Sequence, residues 1–588
     1  MRADNTPKST VWNIIIIAAV GFLLTSPAIL HGWSDLGHDS VSHARWLDGF
    51  SHQFSAGEWY PRWLTESNSN LGSPIFFYYG PISYYLALPL LAIWPQNSTA
   101  TWHCLGVGGA LALVISGIIT YFWLARWAGT RGATVGAVAY MLAPWHTAVG
   151  LYNAGSWSLF CAFLWIPLAF LGAERLIEER RGAVVLLAIG YSLLVGTHMI
   201  TAIMFSPVLL LYPLFLGPPD RRLRLVFYTS GAMLLGVGIA AIYLLPAALQ
   251  QSAISTYILR IPGGFYDYRK WFLGADIHSL LDYKMRVLVV TSSMAAAAFT
   301  AYLLSRRAYL HGKTRIRMLF WLLVSIGSLF FMTSLSSFLW GMPILSAFAQ
   351  PPRFNALLTF AVAALCAGAA PAGGWTRSRT AVLLASTFAV AWVAGTAWAA
   401  SRAYFVWHSD PKGVERLQWN ERFREELPEY QPFWAVSTKH GIEAALAKVP
   451  GRGLRLEAPD HTKVSGQASI VSWQPRRAVF LVETQLPATL LIGQFYYPGW
   501  EARELKDLRL LPLSPSVPDG LITLQLPAGK HEILLRLQPQ PAERIGSLIS
   551  AFSCALAILL AALSVNRRKN TPDHVQTYRA TAAGEADS

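Results

Sequence analysis

The chain has 588 residues, 54% of them apolar and only 13% charged, against roughly 25% charged in an ordinary soluble domain, which speaks against a water-soluble globular protein. Its formal charge of +15 invites a nucleic-acid partner until the charges are located. The cysteines, Cys104, Cys161, Cys366 and Cys554, stand far apart in apolar runs with no CxxC or Cys/His spacing, which argues against a disulfide framework or a structural zinc site.

Runs of about 20 apolar residues, the length that crosses a bilayer core as helix, recur through the first two thirds. Expected spans cover 11–31, 103–124, 133–149, 157–173, 183–197, 199–217, 225–248, 286–304, 318–335, 355–372, 380–400 and 546–565. The first run, preceded by Arg2 and Lys8, has the outline of a signal peptide, but its length and the lack of a small-x-small site favour a span. Residues Pro81 to Trp94 read as a helix lying in the interface, since the stretch is short and carries Pro81, Pro89 and several tyrosines. With that assignment, segments 1–10, 125–132, 174–182, 218–224, 305–317, 373–379 and 566–588 together carry 21 Lys and Arg against 8 acidic residues, so they hold +13 of the +15. The positive-inside rule makes them, and both termini, cytoplasmic. The charge therefore reports membrane insertion, and no nucleic-acid partner is expected.

Residues 1–400 read as a transmembrane module with a first extracytoplasmic loop at 32–102. An extracytoplasmic block follows over 401–544, then a last transmembrane helix at 546–565 and a disordered tail at 566–588. Within the block, Gly413 to Leu427 reads as a charged amphipathic helix. From about residue 452 the period becomes two: Ile522, Leu524 and Leu526 share one face, as do Ile533, Leu535 and Leu537, and turn pairs such as Pro498-Gly499 and Asp519-Gly520 separate the runs. The fold class expected is a polytopic α-helical membrane protein with an extracytoplasmic α+β or β-sandwich domain near the C-terminus.

The first loop concentrates chemistry: His38, Asp39, His43 and Arg45, then Glu58-Trp59-Tyr60-Pro61-Arg62-Trp63. If Ser40 to Phe54 is helical, Asp39 and His43 lie one turn apart on a face shared with Trp46 and Phe50. A carboxylate beside an imidazole can orient or deprotonate a hydroxyl, and Arg45 and Arg62 can hold a phosphate. Asp39 is equally a good N-cap, and the spacing leaves both readings open. Tyr78, Tyr79, Tyr84 and Tyr85 can stack on sugar or prenyl groups. Arg353, in Gln-Pro-Pro-Arg-Phe, can bind a phosphate or snorkel to the interface. His198 interrupts the apolar stretch 183–217, and a role and a helix-helix hydrogen bond explain it equally well. The 249–285 loop, with Arg260, Arg269, Lys270, Asp276, His278 and Lys284, reads first as a solvated or headgroup-facing surface and second as a cover for a lipid-phosphate pocket.

These motifs, taken in order, resemble the GT-C class of integral-membrane glycosyltransferases, and within it bacterial membrane proteins of the 6-pyruvoyl-tetrahydropterin-synthase-related and YfhO-like groups. The likeness rests on His38-Asp39, Gly57 to Trp63, Gly72-Ser73-Pro74, Phe77 to Tyr85, Gln350 to Phe354, Phe495 to Trp500 and Pro527 to His531. It implies transfer of a sugar from a polyprenyl-phosphate-linked donor to an extracytoplasmic glycan, lipid or protein acceptor at a bacterial inner membrane. Asp39 would be the catalytic carboxylate, and His38, His43, Arg45, Glu58, Arg62, Tyr78, Tyr79, His198 and Arg353 substrate-binding. The chain departs from these groups at Asn153 to Trp157, where they tend to carry an Arg and a Glu.

No cofactor is certain and no metal ligand is assigned. Asp35, His38, Asp39 and His43 could hold magnesium or manganese, though such a site wants more carboxylates. The rival function is a non-catalytic protein that binds or translocates a lipid-linked glycan for cell-envelope or exopolysaccharide assembly. Arg286, at a boundary, is the one charge within the expected spans, which speaks against ion-coupled transport.

Overall fold

The computed structural model describes residues 7–33, 39–93, 100–275, 281–307, 312–346, 348–370, 427–435, 439–458 and 466–569. Among them, eight helices are long and apolar enough to cross a membrane: Ala100–Leu124, Trp157–Ile177, Met199–Leu216, Pro219–Ile239, Lys284–Ser305, Lys313–Met332, Pro351–Ala369 and Pro541–Val565. Shorter apolar helices cover Lys8–Leu24, Ile82–Ile93 and Ala183–Thr197. The chain is a polytopic helical membrane protein with a β-rich C-terminal domain. The span expected at 380–400, the amphipathic helix at 413–426, His38 and the tail from residue 570 lie outside the described residues.

Three expected spans are interrupted, the first two for a local reason. The first stops at Leu24 and resumes as Ser26–His31; Thr25 turns its hydroxyl back onto the Gly21 carbonyl at 2.8 Å, and Pro27 follows. The run at 133–149 becomes Gly129–Leu142, halted before Pro144, and then a wide π-helix over Trp145–Ala154. The run at 225–248 divides at Ala240 into Arg222–Ile239 and Ala241–Leu249. His198 separates Ala183–Thr197 from Met199–Leu216.

Helices pack closely where small residues face backbone. A Cβ on Gly132 or Gly136 would meet the carbonyl oxygens of Ala367 or Ala363 at 2.5 and 2.8 Å, so Gly129–Leu142 and Asn355–Ala369 pack backbone to backbone. Charge is also buried in the bundle, contrary to the sequence count that left Arg286 alone. Trp157–Ile177 and Lys313–Met332 run past the expected ends at 173 and 318 and take Glu174 and Arg317 with them. Arg317 grips Glu174 in bidentate fashion at 2.5 and 2.7 Å, and the Tyr212 hydroxyl donates to the same carboxylate at 2.5 Å.

The C-terminal domain is an antiparallel sandwich. One sheet has the order β1 (Leu454–Glu457), β4 (Ala488–Phe495), β8 (Leu521–Leu526), β7 (Leu513–Pro515). The other runs β2 (Gly466–Gln474), β3 (Arg477–Thr484), β9 (Gly529–Leu537), β5 (Trp500–Glu504), β6 (Leu510–Leu511). The alternating residues of β8 and β9 read from the sequence are at most 3% exposed. The sandwich core continues into the first loop and the 249–275 segment, taking in Trp63, Phe77, Tyr78, Tyr243, Ala253 and Ile254. One end of the bundle and the sandwich are therefore one packed body.

A buried ionic seam joins them. Arg62 donates to Glu543 at 2.8 Å and to the Ile242 carbonyl at 2.8 Å, with its guanidinium 4.2 Å from the Tyr60 ring centre. Arg476 of the sandwich reaches Glu543 at 3.4 Å and Glu58 at 3.5 Å. Burial pushes the Glu58 carboxyl up to about 7, against the opposing pull of Arg476, the Gln53 hydrogen bond and Arg62. A carboxyl raised above its ordinary 4.5 binds its proton more tightly when folded. Its contribution to stability is complete below about pH 4.5 and is lost as pH rises through about 7. Glu58→Gln, permanently neutral, is expected to flatten the fall in thermal stability between about pH 5 and about pH 8. Parallel melting curves for the two proteins across that range would refute this account of Glu58.

Candidate functional site

The site is built on the helix Ser40–Ser55, whose buried face carries His43, Trp46, Leu47 and Phe50. Its start is pinned from the turn after the π-helix, at Ala154 and Gly155. The Asp39 N–H donates to the Ala154 carbonyl at 3.2 Å, the Trp33 indole donates to the Gly155 carbonyl at 3.1 Å, and Arg286 donates to Asn153 Oδ1 at 3.2 Å. Gly155 has φ +61°, and a Cβ there would lie 1.7 Å from Ser40 Oγ. Gly155→Val should therefore destabilise the protein by about 1–3 kcal/mol through left-handed strain alone, with the Ser40 clash added, as read by thermal unfolding. A variant melting with the wild type would show that this turn does not hold the helix start.

Asp39 occupies the N-cap position but makes no side-chain cap bond. Its backbone, φ −95° and ψ −14°, is helical, whereas a capping carboxylate needs the extended conformation to reach back to the first N–H groups. Of the two readings the sequence left open, capping is not the one formed.

Around Asp39 the fold gathers groups from distant parts of the chain. His43 is 2% exposed; its Nδ1 hydrogen-bonds the Tyr84 hydroxyl at 2.6 Å, and its ring lies 5.8 Å from that of Tyr79. Tyr79 also packs on Trp46 at 5.0 Å and on Tyr430 at 5.7 Å. Arg353 sits in the short 3-10 turn Pro351–Phe354 that opens the helix Asn355–Ala369, where paired prolines fix φ and give up no needed donor. His198 caps Met199–Leu216: its Nδ1 accepts from the Thr201 N–H at 3.3 Å, which leaves the ring proton on Nε2. Burial first, then the charges of Arg353 and His43, push His198 down to about 3 against the opposing pull of Asp39. It is a neutral N–H donor at physiological pH.

Two members were not expected from sequence. Glu429, in the 3-10 turn Pro428–Tyr430, is 8% exposed, and the Tyr266 hydroxyl donates to its Oε2 at 2.9 Å. The segments bearing them clasp each other: Ser255 N–H donates to the Gln431 carbonyl at 3.0 Å, Phe433 N–H to the Ala253 carbonyl at 2.9 Å, and Ile254 bridges Pro432. Glu429 is raised above 4.5 chiefly by burial, with Asp39 adding and Tyr266 and Arg353 opposing. The phenols of Tyr79, Tyr266 and Tyr430 are raised by burial first, and each also feels Glu429 and Arg353. The sequence signal is small: one acid just past Pro428, followed by an aromatic residue, directly after the run Gly413 to Leu427 that reads as a charged amphipathic helix.

The remaining expected residues stand elsewhere. Tyr78 donates to the Gln250 carbonyl at 2.6 Å and meets the Tyr497 hydroxyl at 2.9 Å, inside the contact with the sandwich. Glu58 and Arg62 belong to the ionic seam. In the 249–275 loop, Arg269 is exposed beside Asp267 at 3.7 Å, while Asp276 and His278 lie outside the described residues. Among the described residues no group of three or more His, Cys, Asp or Glu side chains is placed to hold a metal ion; Asp35 and His38, two of the four residues named for one, lie outside the described residues, and no step is routed through a metal.

No family model matches the chain, and no curated protein matches it. Among solved structures it is similar to the mycobacterial arabinofuranosyltransferase AftD, with TM-score 0.41 and 16% identity over 66% of this chain and 27% of that one. It is also similar to the oligosaccharyltransferase AglB from Archaeoglobus fulgidus, in complex with an inhibitory peptide and a dolichol-phosphate, with TM-score 0.43 and 12% identity over 72% of this chain and 61% of that one. ArnT from Cupriavidus metallidurans, bound to undecaprenyl phosphate, gives TM-score 0.31 and 13% identity over 80% of this chain and 98% of that one. The chain thus spans about a quarter of AftD and less than two thirds of AglB.

Proposed function

We propose that this protein is an inverting membrane glycosyltransferase that moves a sugar from a polyprenyl-phosphate donor to a glycan, lipid or protein acceptor. The observation that supports the reading is that Asp39 and Arg353 both act on the His198 ring, next to the aromatic cluster of His43, Trp46, Tyr79 and Tyr430 at one end of an apolar bundle. In this reading Asp39 orients the acceptor hydroxyl and takes its proton as the oxygen attacks the anomeric carbon. Arg353, with the His198 Nε2–H, holds the departing phosphate, a charge-assisted interaction that strengthens as charge develops on the leaving group. Tyr79, only partly buried and backed by Trp46, offers an aromatic group for a sugar ring. The short basic segments support a location in the bacterial inner membrane with both termini cytoplasmic and this pocket outside.

The test is the full chain in lipid nanodiscs, given undecaprenyl-phosphate carrying glucose, mannose or arabinose with a membrane glycolipid extract as acceptor. Release of undecaprenyl phosphate from at least one donor, dependent on the extract, is the expected result. No release from any of them would overturn the reading and favour a protein that binds or translocates lipid-linked glycans. In a deletion strain the same reading expects the unused lipid-linked sugar to accumulate.

A further inference from the structure

We infer that Glu429 is the proton donor to the departing phosphate, held in place by Tyr266; this rests on the proposed transfer reaction. Four observations point there. Glu429 arrives on a segment that lies far from the first loop in sequence, yet it is buried and its segment is clasped by the 249–275 loop. The Tyr266 hydroxyl donates to Oε2, which leaves a carboxyl proton to reside on Oε1. Tyr430, its chain neighbour, packs edge-on against Tyr79 at 5.7 Å and meets Trp46 at 6.5 Å, so the turn is fastened to the aromatic cluster around His43. Finally, Asp39 and Arg353 both act on Glu429, as they do on His198.

Charge counting decides the protonation state. With His198 neutral, an ionised Glu429 would join Asp39 and the donor's phosphodiester against Arg353, placing three negative charges and one positive in a buried pocket. Like charges in one site push one carboxyl toward its neutral form, and burial acts in the same direction. Two carboxyls whose surroundings separate them in this way suit opposite ends of one proton-transfer reaction.

The step then balances. The acceptor O–H bond breaks and its proton goes to Asp39, while the oxygen forms a bond to the anomeric carbon. The bond from that carbon to the phosphate oxygen breaks with its electron pair, and the Glu429 proton moves to the phosphate. Asp39 ends protonated, Glu429 ends ionised and the product leaves as a monoanion. The net pocket charge is the same before and after, so no charge is created in a buried site during transfer. Loss of the Asp39 proton and recovery of one by Glu429 through solvent reset the enzyme.

The groups facing Glu429 are Tyr266 from the loop, Tyr430 beside it, Tyr79 and Asp39 from the first loop, and Arg353. Its protonation should therefore appear in how the product binds. The probe is geranylgeranyl phosphate, titrated by tryptophan fluorescence into the full chain in nanodiscs between about pH 5 and about pH 9. Wild-type affinity is expected to fall, relative to Glu429→Gln, by about tenfold per pH unit above the Glu429 titration, because an ionised Glu429 repels the phosphate and Gln does not. Comparing the two proteins cancels the probe's own ionisation. Tyr266→Phe removes a donor that favours the ionised carboxyl, so the break should move to higher pH. Arg353→Gln should weaken binding at every pH. Parallel wild-type and Glu429→Gln curves, with binding still dependent on Arg353, would overturn the role of Glu429 alone. Binding indifferent to Arg353 would overturn the phosphate site and with it the transfer reading.

Discussion

Asp39→Asn is expected to lower transfer by about 10²–10⁴-fold, the usual worth of a positioned general base, with donor affinity and thermal stability near those of the wild type. The reason is geometric. The Asp39 side chain makes no cap bond to Ser40–Ser55, while its main chain is held by the Ala154 carbonyl. An amide of the same shape leaves that main-chain bond in place, but it cannot accept the acceptor's proton. The variant also removes one of the two negative charges acting within the pocket, so Glu429, raised in part by Asp39, should titrate at lower pH. Full transfer by a correctly inserted Asp39→Asn protein would end the assignment of Asp39.

Glu543→Ala is expected to be the most damaging single change to stability, by about 3–5 kcal/mol, the cost of leaving a buried charge without its partner. Glu543 and Arg62 have side-chain exposures of 5% and 6%. One Glu543 oxygen accepts from the Gln540 N–H at 2.8 Å, closing the start of Pro541–Lys569 in the manner of a capping box. The other accepts from Arg62 at 2.8 Å and from Arg476 at 3.4 Å. Truncation strands Arg62 with the Ile242 carbonyl and the Tyr60 ring and opens the helix start. Removing both charges, as in Arg62→Met with Glu543→Leu, should recover much of the loss, since an apolar pair replaces a buried ion pair at little cost. Thermal unfolding in detergent measures both; a loss below about 1 kcal/mol for Glu543→Ala would mean that water reaches the pair.

The two halves of the chain were legible to different degrees. Spans such as Ala100–Leu124 and strands such as β8 and β9 declare themselves because hydropathy and alternation are local properties, summed over about 20 or about six residues. The breaks at Thr25, Pro144 and Ala240 are not legible in hydropathy, because an apolar run stays apolar across a turn, whether a proline or a back-bonded hydroxyl imposes it or, as at Ala240, the Ser550 hydroxyl of a distant helix bonds the Ile242 N–H and the Ile239 carbonyl. Asp39, His43 and Tyr79 could be singled out since they crowd one loop. Arg62 and Tyr78 looked the same in that loop, yet they point into contacts with a domain that the chain supplies much later.

What the sequence by itself determined is the membrane architecture, the sandwich and the loop in which chemistry was to be sought, because burial of apolar surface and the placement of positive charge follow from the chain's own order. Tertiary structure alone decided the partners. Arg62 meets Glu543 across 481 positions, the Ala154 carbonyl holds the start of the site helix, and Glu429 comes under the influence of Asp39 and Arg353 on a segment whose backbone pairs with the 249–275 loop. The physical reason is that a hydrogen bond or an ion pair acts over a few ångströms of space, whatever the distance along the chain. No periodicity encodes which two distant segments the packing will bring that close.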